Sequence, residues 1–222
     1  MKANRALREG EPDYNLAEEL ISAISHGLGA LFGVAALVLG LLAAADDGAA
    51  AVVGAAVYGG SMVLLYTCST IYHSLRVNMA KRVFRILDHC GVFLLIAGTY
   101  TPLLLVSMYS QSPTTAGVML VLIWAAAAVG SVCSSISLRR FRVLTTICYL
   151  TMGWSVVFTF SPMMRALGPL GTRLLVWGGV AYTLGAVLYG IGAKKRYFHS
   201  IFHFFVLAGS ILHFLCIYLC VL

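Results

Sequence analysis

Long uncharged runs of Leu, Val, Ala, Gly, Ile and Phe alternate along this chain with short stretches that hold nearly all of its charges. Seven apolar spans can be drawn, at 20–45, 51–75, 83–108, 114–136, 143–161, 172–192 and 198–221. At about 1.5 Å of rise per residue, each is long enough as a helix to cross a hydrocarbon core about 30 Å thick. The runs are continuous rather than alternating, which excludes a membrane β-barrel. Connections are short and no internal repeat is visible. The expected architecture is therefore an all-α integral membrane protein, with a short polar tail at 1–18 and a single seven-helix transmembrane bundle over 19–222. Small residues such as Gly29-x-x-x-Gly33, Gly54, Gly59-Gly60, Gly178-Gly179 and Gly185 let helix backbones approach closely. Pro102 should kink the third helix, with the hydroxyls of Thr99 and Thr101 bonding carbonyls that the kink frees.

Composition agrees with that pattern. Of 222 residues, 60% are hydrophobic and 10% charged, with a mean hydropathy of +0.92; a soluble domain of this size does not need so much apolar surface. A net charge of +7 would point to nucleic acid in a soluble chain, but here the basic residues sit beside the spans and act as topology signals, so no nucleic-acid partner is expected. Thirteen of the fifteen Lys and Arg fall on one side: Lys2, Arg5, Arg8, Arg76, Lys81, Arg82, Arg85, Arg139, Arg140, Arg142, Lys194, Lys195 and Arg196. The other side holds Arg165 and Arg173, with Asp46 and Asp47 in the first loop. The positive-inside rule then places the N-terminus in the cytoplasm and the C-terminus outside, which requires an odd number of spans. The first 18 residues lack the form of a signal peptide, and cleavage after Ala43-Ala44-Ala45 would need an unusually long, acidic leader. The six cysteines form no C-x-x-C pair and read as small hydrophobes within the bundle rather than a disulfide framework.

Ionisable residues inside spans are costly and so suggest function. They are unevenly distributed here. Glu19, Ser22 and His26 begin helix 1, Ser69 and His73 end helix 2, Asp88 and His89 begin helix 3, and His199 and His203 begin helix 7, all near the cytoplasmic end. His199 and His203 share one face at i, i+4, with Cβ atoms about 6 Å apart, a spacing that suits two ligands of one ion. A lone buried histidine is more often a satisfied core residue, but two in register within lipid each need a polar partner, and a shared Zn²⁺ supplies both. Three imidazoles and a water make a catalytic zinc site, and His73, His199 and His203 are the expected ligands. Asp88 would hold and deprotonate the water, the metal lowering its pKa towards about 7, unless it pairs instead with Arg85. Ser69, one turn before His73, either orients that imidazole, donates to a substrate carbonyl, or bonds its own i−4 carbonyl. Glu19, Ser22 and His26 form either a second tier of hydrogen bonds around the site or a helix-end cluster.

These motifs resemble the progestin and adipoQ receptor family, and most closely its bacterial hemolysin III-like branch. The resemblance covers most of the chain. It rests on Glu19-x-x-Ser22-x-x-x-His26, Ser69-Thr-Ile-Tyr-His73-Ser74, Leu87-Asp88-His89-Cys90-Gly91, Ala97-Gly-Thr-Tyr-Thr-Pro102 and His199-x-x-x-His203-Phe-Phe-Val-Leu-Ala-Gly-Ser. It implies seven spans, a cytoplasmic N-terminus, zinc on His73, His199 and His203, and Asp88 beside the zinc-bound water. Some eukaryotic relatives of this kind are receptors with ceramide-hydrolysing activity. The leading expectation is a zinc-dependent inner-membrane hydrolase that attacks an amide or ester bond in a lipid entering between helices. The alternative is a receptor-like, homeostatic or pore-forming protein in which zinc is structural. His89, turned about 100° from Asp88, should face another helix. His213 lies too far from His203 to share an ion and shares a face with Cys216 and Cys220, where packing is the default and a second soft-metal site the alternative.

Overall fold

The computed structural model describes residues 14–192 and 194–222. Among them the chain is helical throughout: α1 Leu16–Ala44, α2 Ala49–Ser74, α3 Met79–Pro102, α4 Pro113–Ile136, α5 Leu138–Trp154, α6 Phe160–Gly192 and α7 Phe198–Cys220. A π-helical turn, Leu103–Met108, extends α3, and a 3-10 segment, Ser155–Thr159, joins α5 to α6. Lys2, Arg5 and Arg8 of the charge tally, with the tail through residue 13, lie outside the described residues.

Helix starts follow local chemistry. Asn15 caps α1 in a capping box: its side chain accepts from the Glu18 amide at 2.9 Å, and the Glu18 carboxylate accepts from the Asn15 amide at 2.9 Å. Asn78 caps α3 by accepting from the Lys81 amide at 2.8 Å. Tyr197, ahead of α7, takes a left-handed conformation with φ of 66°, a strained choice for a residue with a Cβ. Its amide donates to Glu18 Oε1 at 2.6 Å, so the first turn of α1 holds the entry to α7.

Six of the described stretches are long and apolar enough to cross a membrane: Leu16–Ala44, Ala49–Ser74, Met79–Met108, Pro113–Ile136, Leu138–Gly192 and Phe198–Cys220. The spans expected at 143–161 and 172–192 fall within one 55-residue stretch. Gly168 interrupts it, at φ 66° and ψ −177°, and Pro169 follows. Glycine takes positive φ without steric cost, and proline withholds the next amide.

Apolar side chains cover the outside as well as the core. Leu31, Val121 and Phe158 are 70, 68 and 86% exposed, the exterior of a membrane protein whose solvent is lipid. Inside, Tyr58, Met62, Leu65, Tyr66, Phe93 and Leu103 pack into one core. Close approach depends on glycine at α1 and α2: a Cβ on Gly29 would come within 2.6 Å of the Tyr66 ring. All six cysteines are free thiols. Pro102 does not act through the threonines as expected. Thr99 and Thr101 donate to the carbonyls of Leu95 and Ala97, both at 2.8 Å, and not to Gly98, whose carbonyl would have paired with an amide at position 102. The proline is absorbed instead by widening of the helix into the π-turn that follows.

Candidate metal centre

Two helices bring three histidines to one point. One ring nitrogen from each of His73, His199 and His203 lies within 4.8 Å of the others, and all three residues are buried. α7 supplies its pair by the i, i+4 register, and their Nε2 atoms are 3.1 Å apart. Two nitrogens on one tetrahedral zinc, each about 2.05 Å from the ion, would be about 3.3 Å apart. His73 comes from the last turn of α2, its ring centroid 4.8 Å from that of His203 and 5.4 Å from that of His199. The fit to a cation rests on its Nε2, which is buried with no hydrogen-bond partner. A nitrogen lone pair turned inward towards two other imidazoles, without a donor, is the arrangement a metal ion satisfies.

The far side of His73 fixes that orientation. Its Nδ1 lies 2.6 Å from Glu19 Oε2. An ionised carboxylate only accepts, so the ring proton sits on Nδ1 and the lone pair is left on Nε2. Glu19 Oε1 in turn accepts from Lys81 Nζ at 2.8 Å. Lys81, expected to act only as a topology signal, is 4% exposed and also donates to the carbonyls of Tyr72 at 2.9 Å and Leu75 at 3.0 Å. It therefore ties the end of α2 to the start of α3 and holds Glu19 against His73. A lysine beside a loop gives no sign in sequence that it folds inward.

The other expected residues divide. Ser69 is fully buried and its hydroxyl has no partner, so the i−4 bond weighed for it is not made. Ser22 donates to Ser200 at 3.2 Å, and Ser200 to the Glu18 carbonyl at 3.1 Å, a clasp between α1 and α7 rather than a bond to the histidines. His26 packs its ring on His203, centroids 3.9 Å apart, and meets Tyr66 edge-on. Tyr14, just ahead of α1, stacks on His199 at 4.7 Å. Burial, with Tyr189 beside it, pushes the Tyr14 phenol well above its ordinary pKa, so it caps the site as a neutral ring. Nothing in the tail's sequence marks Tyr14 for that place.

An apolar cavity of about 180 Å³ runs from the histidines into the bundle between α3, α5, α6 and α7. His199, His203, Asp88 and His89 stand at one end, and Leu103, Val156, Leu175 and His213 line its inner length. Asp88 thus shares a wall with two of the three histidines, although its carboxylate is not in the converging group. His89 faces α5 and α6, as its helical angle suggests. Its Nδ1 lies 2.9 Å from the Arg85 carbonyl, its ring stands edge-on to Tyr189, and its own carbonyl accepts from Tyr149 at 2.9 Å. The second soft-metal site is not formed: among the described residues no other group of three ligand atoms converges. His213 bonds the Leu175 carbonyl at 3.1 Å and Cys216 the Gly171 carbonyl at 3.3 Å.

The family model for haemolysin-III related proteins matches residues 14–214, which take in every residue of this centre. The chain is 40% identical over 201 residues to "Hemolysin-3" of Bacillus cereus, covering 90% of each protein. It is 38% identical over 205 residues to "Hemolysin-3 homolog" of Bacillus subtilis, covering 92% of this chain and 94% of the relative. A more distant similarity, 28% over 169 residues and 73% of this chain, links it to "Monocyte to macrophage differentiation factor" of Homo sapiens, of which 68% is covered.

Proposed function

The chain belongs to the haemolysin-III related family, and on that footing we propose that it is a zinc-dependent hydrolase of the bacterial inner membrane, acting on an amide or ester bond of a membrane lipid. The observation that carries this reading is the unpartnered Nε2 of His73, buried beside the His199 and His203 pair at the head of an apolar cavity with Asp88 in its wall. His73, His199 and His203 would hold the metal, which when bound supplies Lewis acidity and lowers the pKa of a coordinated water towards about 7. Among the described residues three protein ligands converge, which would leave a position for water on a bound ion, whereas a structural zinc site is closed by four.

The remaining roles belong to the chain. Asp88 Oδ takes the proton of the attacking water and returns it to the departing amine or alcohol. Water is thereby added across the acyl bond, and the products are a carboxylic acid and the amine or alcohol. Ser69 Oγ, buried and one turn from His73, donates to a polar atom brought in by the ligand. Glu19 and Lys81 keep the His73 ring turned, and the apolar cavity takes the acyl chain and excludes bulk water.

We read the bundle as seven spans with a cytoplasmic N-terminus. A straight 55-residue helix would be about 80 Å long, more than twice the hydrocarbon core, and Gly168-Pro169 offers the place to divide it. With that count, the basic bias sets the orientation. A reporter active only in the cytoplasm should work when fused after Arg140 and fail after Leu222; the reverse pattern would overturn the orientation. For the activity, purified protein is incubated with a panel of N-acyl and ester lipids, with and without a zinc chelator. Chelator-sensitive release of fatty acid is expected. No hydrolysis of any lipid in the panel would favour a receptor-like or homeostatic protein with structural zinc.

A further inference from the structure

A second cavity, of about 820 Å³, opens at the same end of the bundle, within the range of about 300–1,000 Å³ that ligand clefts occupy. Its walls carry Arg85, Arg139, Arg142, Lys194, Lys195 and Arg196, brought together from the start of α3, the start of α5 and the connection between α6 and α7. Among the described residues the lining holds one carboxylate, Glu18, and that group is already accepting from the amides of Asn15 and Tyr197. His89, Thr146, Tyr189 and His199 line both cavities, so the basic vestibule leads directly to the histidines and to the apolar cavity beyond.

Topology alone does not require this convergence. The positive-inside rule asks only that Lys and Arg lie in loops on one side; it does not ask residues of three separate connections to surround one opening. Arg76, Arg82 and Arg140 satisfy the rule equally well and do not line the vestibule. A cationic mouth on an apolar cavity, with the metal centre at the junction, is complementary to one kind of molecule: an acyl chain ending in an anion.

We propose that the ligand of this site is an anionic lipid, its phosphate held by the basic vestibule, its acyl chain in the apolar cavity, and its linkage region beside His199. The proposal rests on the lipid reading above and adds the headgroup class to it. Guanidinium groups suit phosphate because their planar donors can pair with two oxygens at once. The quaternary cation of a choline headgroup meets the positive charges of Arg139, Arg142, Lys194, Lys195 and Arg196 and is disfavoured.

The test uses full-length protein in phosphatidylcholine nanodiscs. Trp154 lines the apolar cavity; with Trp124 and Trp177 replaced by Phe it is the one tryptophan donor left, and energy transfer to a pyrene-labelled acyl chain reports entry. Pyrene-phosphatidic acid and pyrene-diacylglycerol are compared at equal mole fraction, and inorganic phosphate is added as a soluble competitor. We expect phosphatidic acid to be preferred by about tenfold or more, and the preference to be largely lost in the triple variant Arg139→Gln/Arg142→Gln/Arg196→Gln. The triple variant Arg76→Gln/Arg82→Gln/Arg140→Gln loses the same charge outside the vestibule and should keep the preference. Should the vestibule variant fail to fold, the wild-type preference must still weaken as salt rises. Equal transfer from both lipids, or equal loss in both triple variants, would overturn the inference and leave lipid hydrolysis standing. Displacement by inorganic phosphate would make the ligand a soluble anion and also overturn it. Transfer from neither lipid would overturn the lipid reading itself.

Discussion

α7 carries two polar layers, and they are built in opposite ways. Ser210 is fully buried, and its hydroxyl lies 2.7 Å from those of both Tyr66 and Tyr182, while Tyr58 donates to the Ser210 carbonyl at 3.1 Å. That layer joins α2, α6 and α7 through protein groups alone. Two turns earlier, His199 and His203 meet His73, and there the buried nitrogens His73 Nε2 and His203 Nδ1 have no protein partner. Both layers are buried within the bundle, where an unmet polar group costs on the order of several kcal/mol. A closed network is complete as a structural device. An open one, built from residues that ligate metals and backed by Glu19 and Lys81 on its outer side, is organised around something other than protein.

Substitutions should separate the layers. The largest effect is expected for His203→Ala, which removes one of three ligands: zinc affinity should fall by orders of magnitude and hydrolysis should drop to background, measured by metal analysis and fatty-acid release. Asp88→Asn should keep its zinc and its melting temperature yet lose about 10²–10⁴ in rate, the typical cost of losing a positioned general base. Wild-type turnover in that variant would remove Asp88 from the chemistry. Glu19→Gln leaves His73 in place but weakens the acceptor that orients it, so zinc affinity should fall by about 10–100-fold, read in a chelator competition. Ser210→Ala should differ from all three in acting on stability alone. It opens the closed layer, lowers stability by about 1 kcal/mol in a denaturation assay, and leaves zinc content unchanged. Loss of zinc in Ser210→Ala would mean that the two layers are one unit and that the contrast drawn between them is false.

The sequence exposed some of this and concealed the rest. The i, i+4 pair at His199 and His203 is legible because helical periodicity fixes which residues share a face. That His73 belongs with them followed from its expected place in the same polar layer, at one end of its span. Periodicity does not say what a face meets. Lys81 is a basic residue at the edge of a loop, indistinguishable by pattern from Arg82 beside it, yet one is buried on Glu19 and the other is exposed. Ser22 is aligned with His26 on α1 but turns to Ser200, because partner choice depends on how α1 and α7 pack, which no local pattern records. Tyr14 lies in a polar tail and gains its place over His199 only because the α1 capping box and the Glu18 bond to Tyr197 draw the two helix starts together. In the long α5–α6 stretch the sequence shows a gap between two apolar runs, with Arg165 and Arg173 in or beside it, but not the backbone break at Gly168 that interrupts the helix there. The vestibule was hidden for the same reason as Lys81: its charges come from separate connections, and each alone looks like an ordinary topology signal.

The most direct test is elemental analysis of the purified protein, comparing wild type with His199→Ala/His203→Ala at matched protein concentration. The account predicts one zinc per chain in wild type and none in the double variant, with Ser210→Ala matching wild type. Wild type without zinc, or a double variant that retains it in full, would contradict the claim that these three histidines form the metal centre.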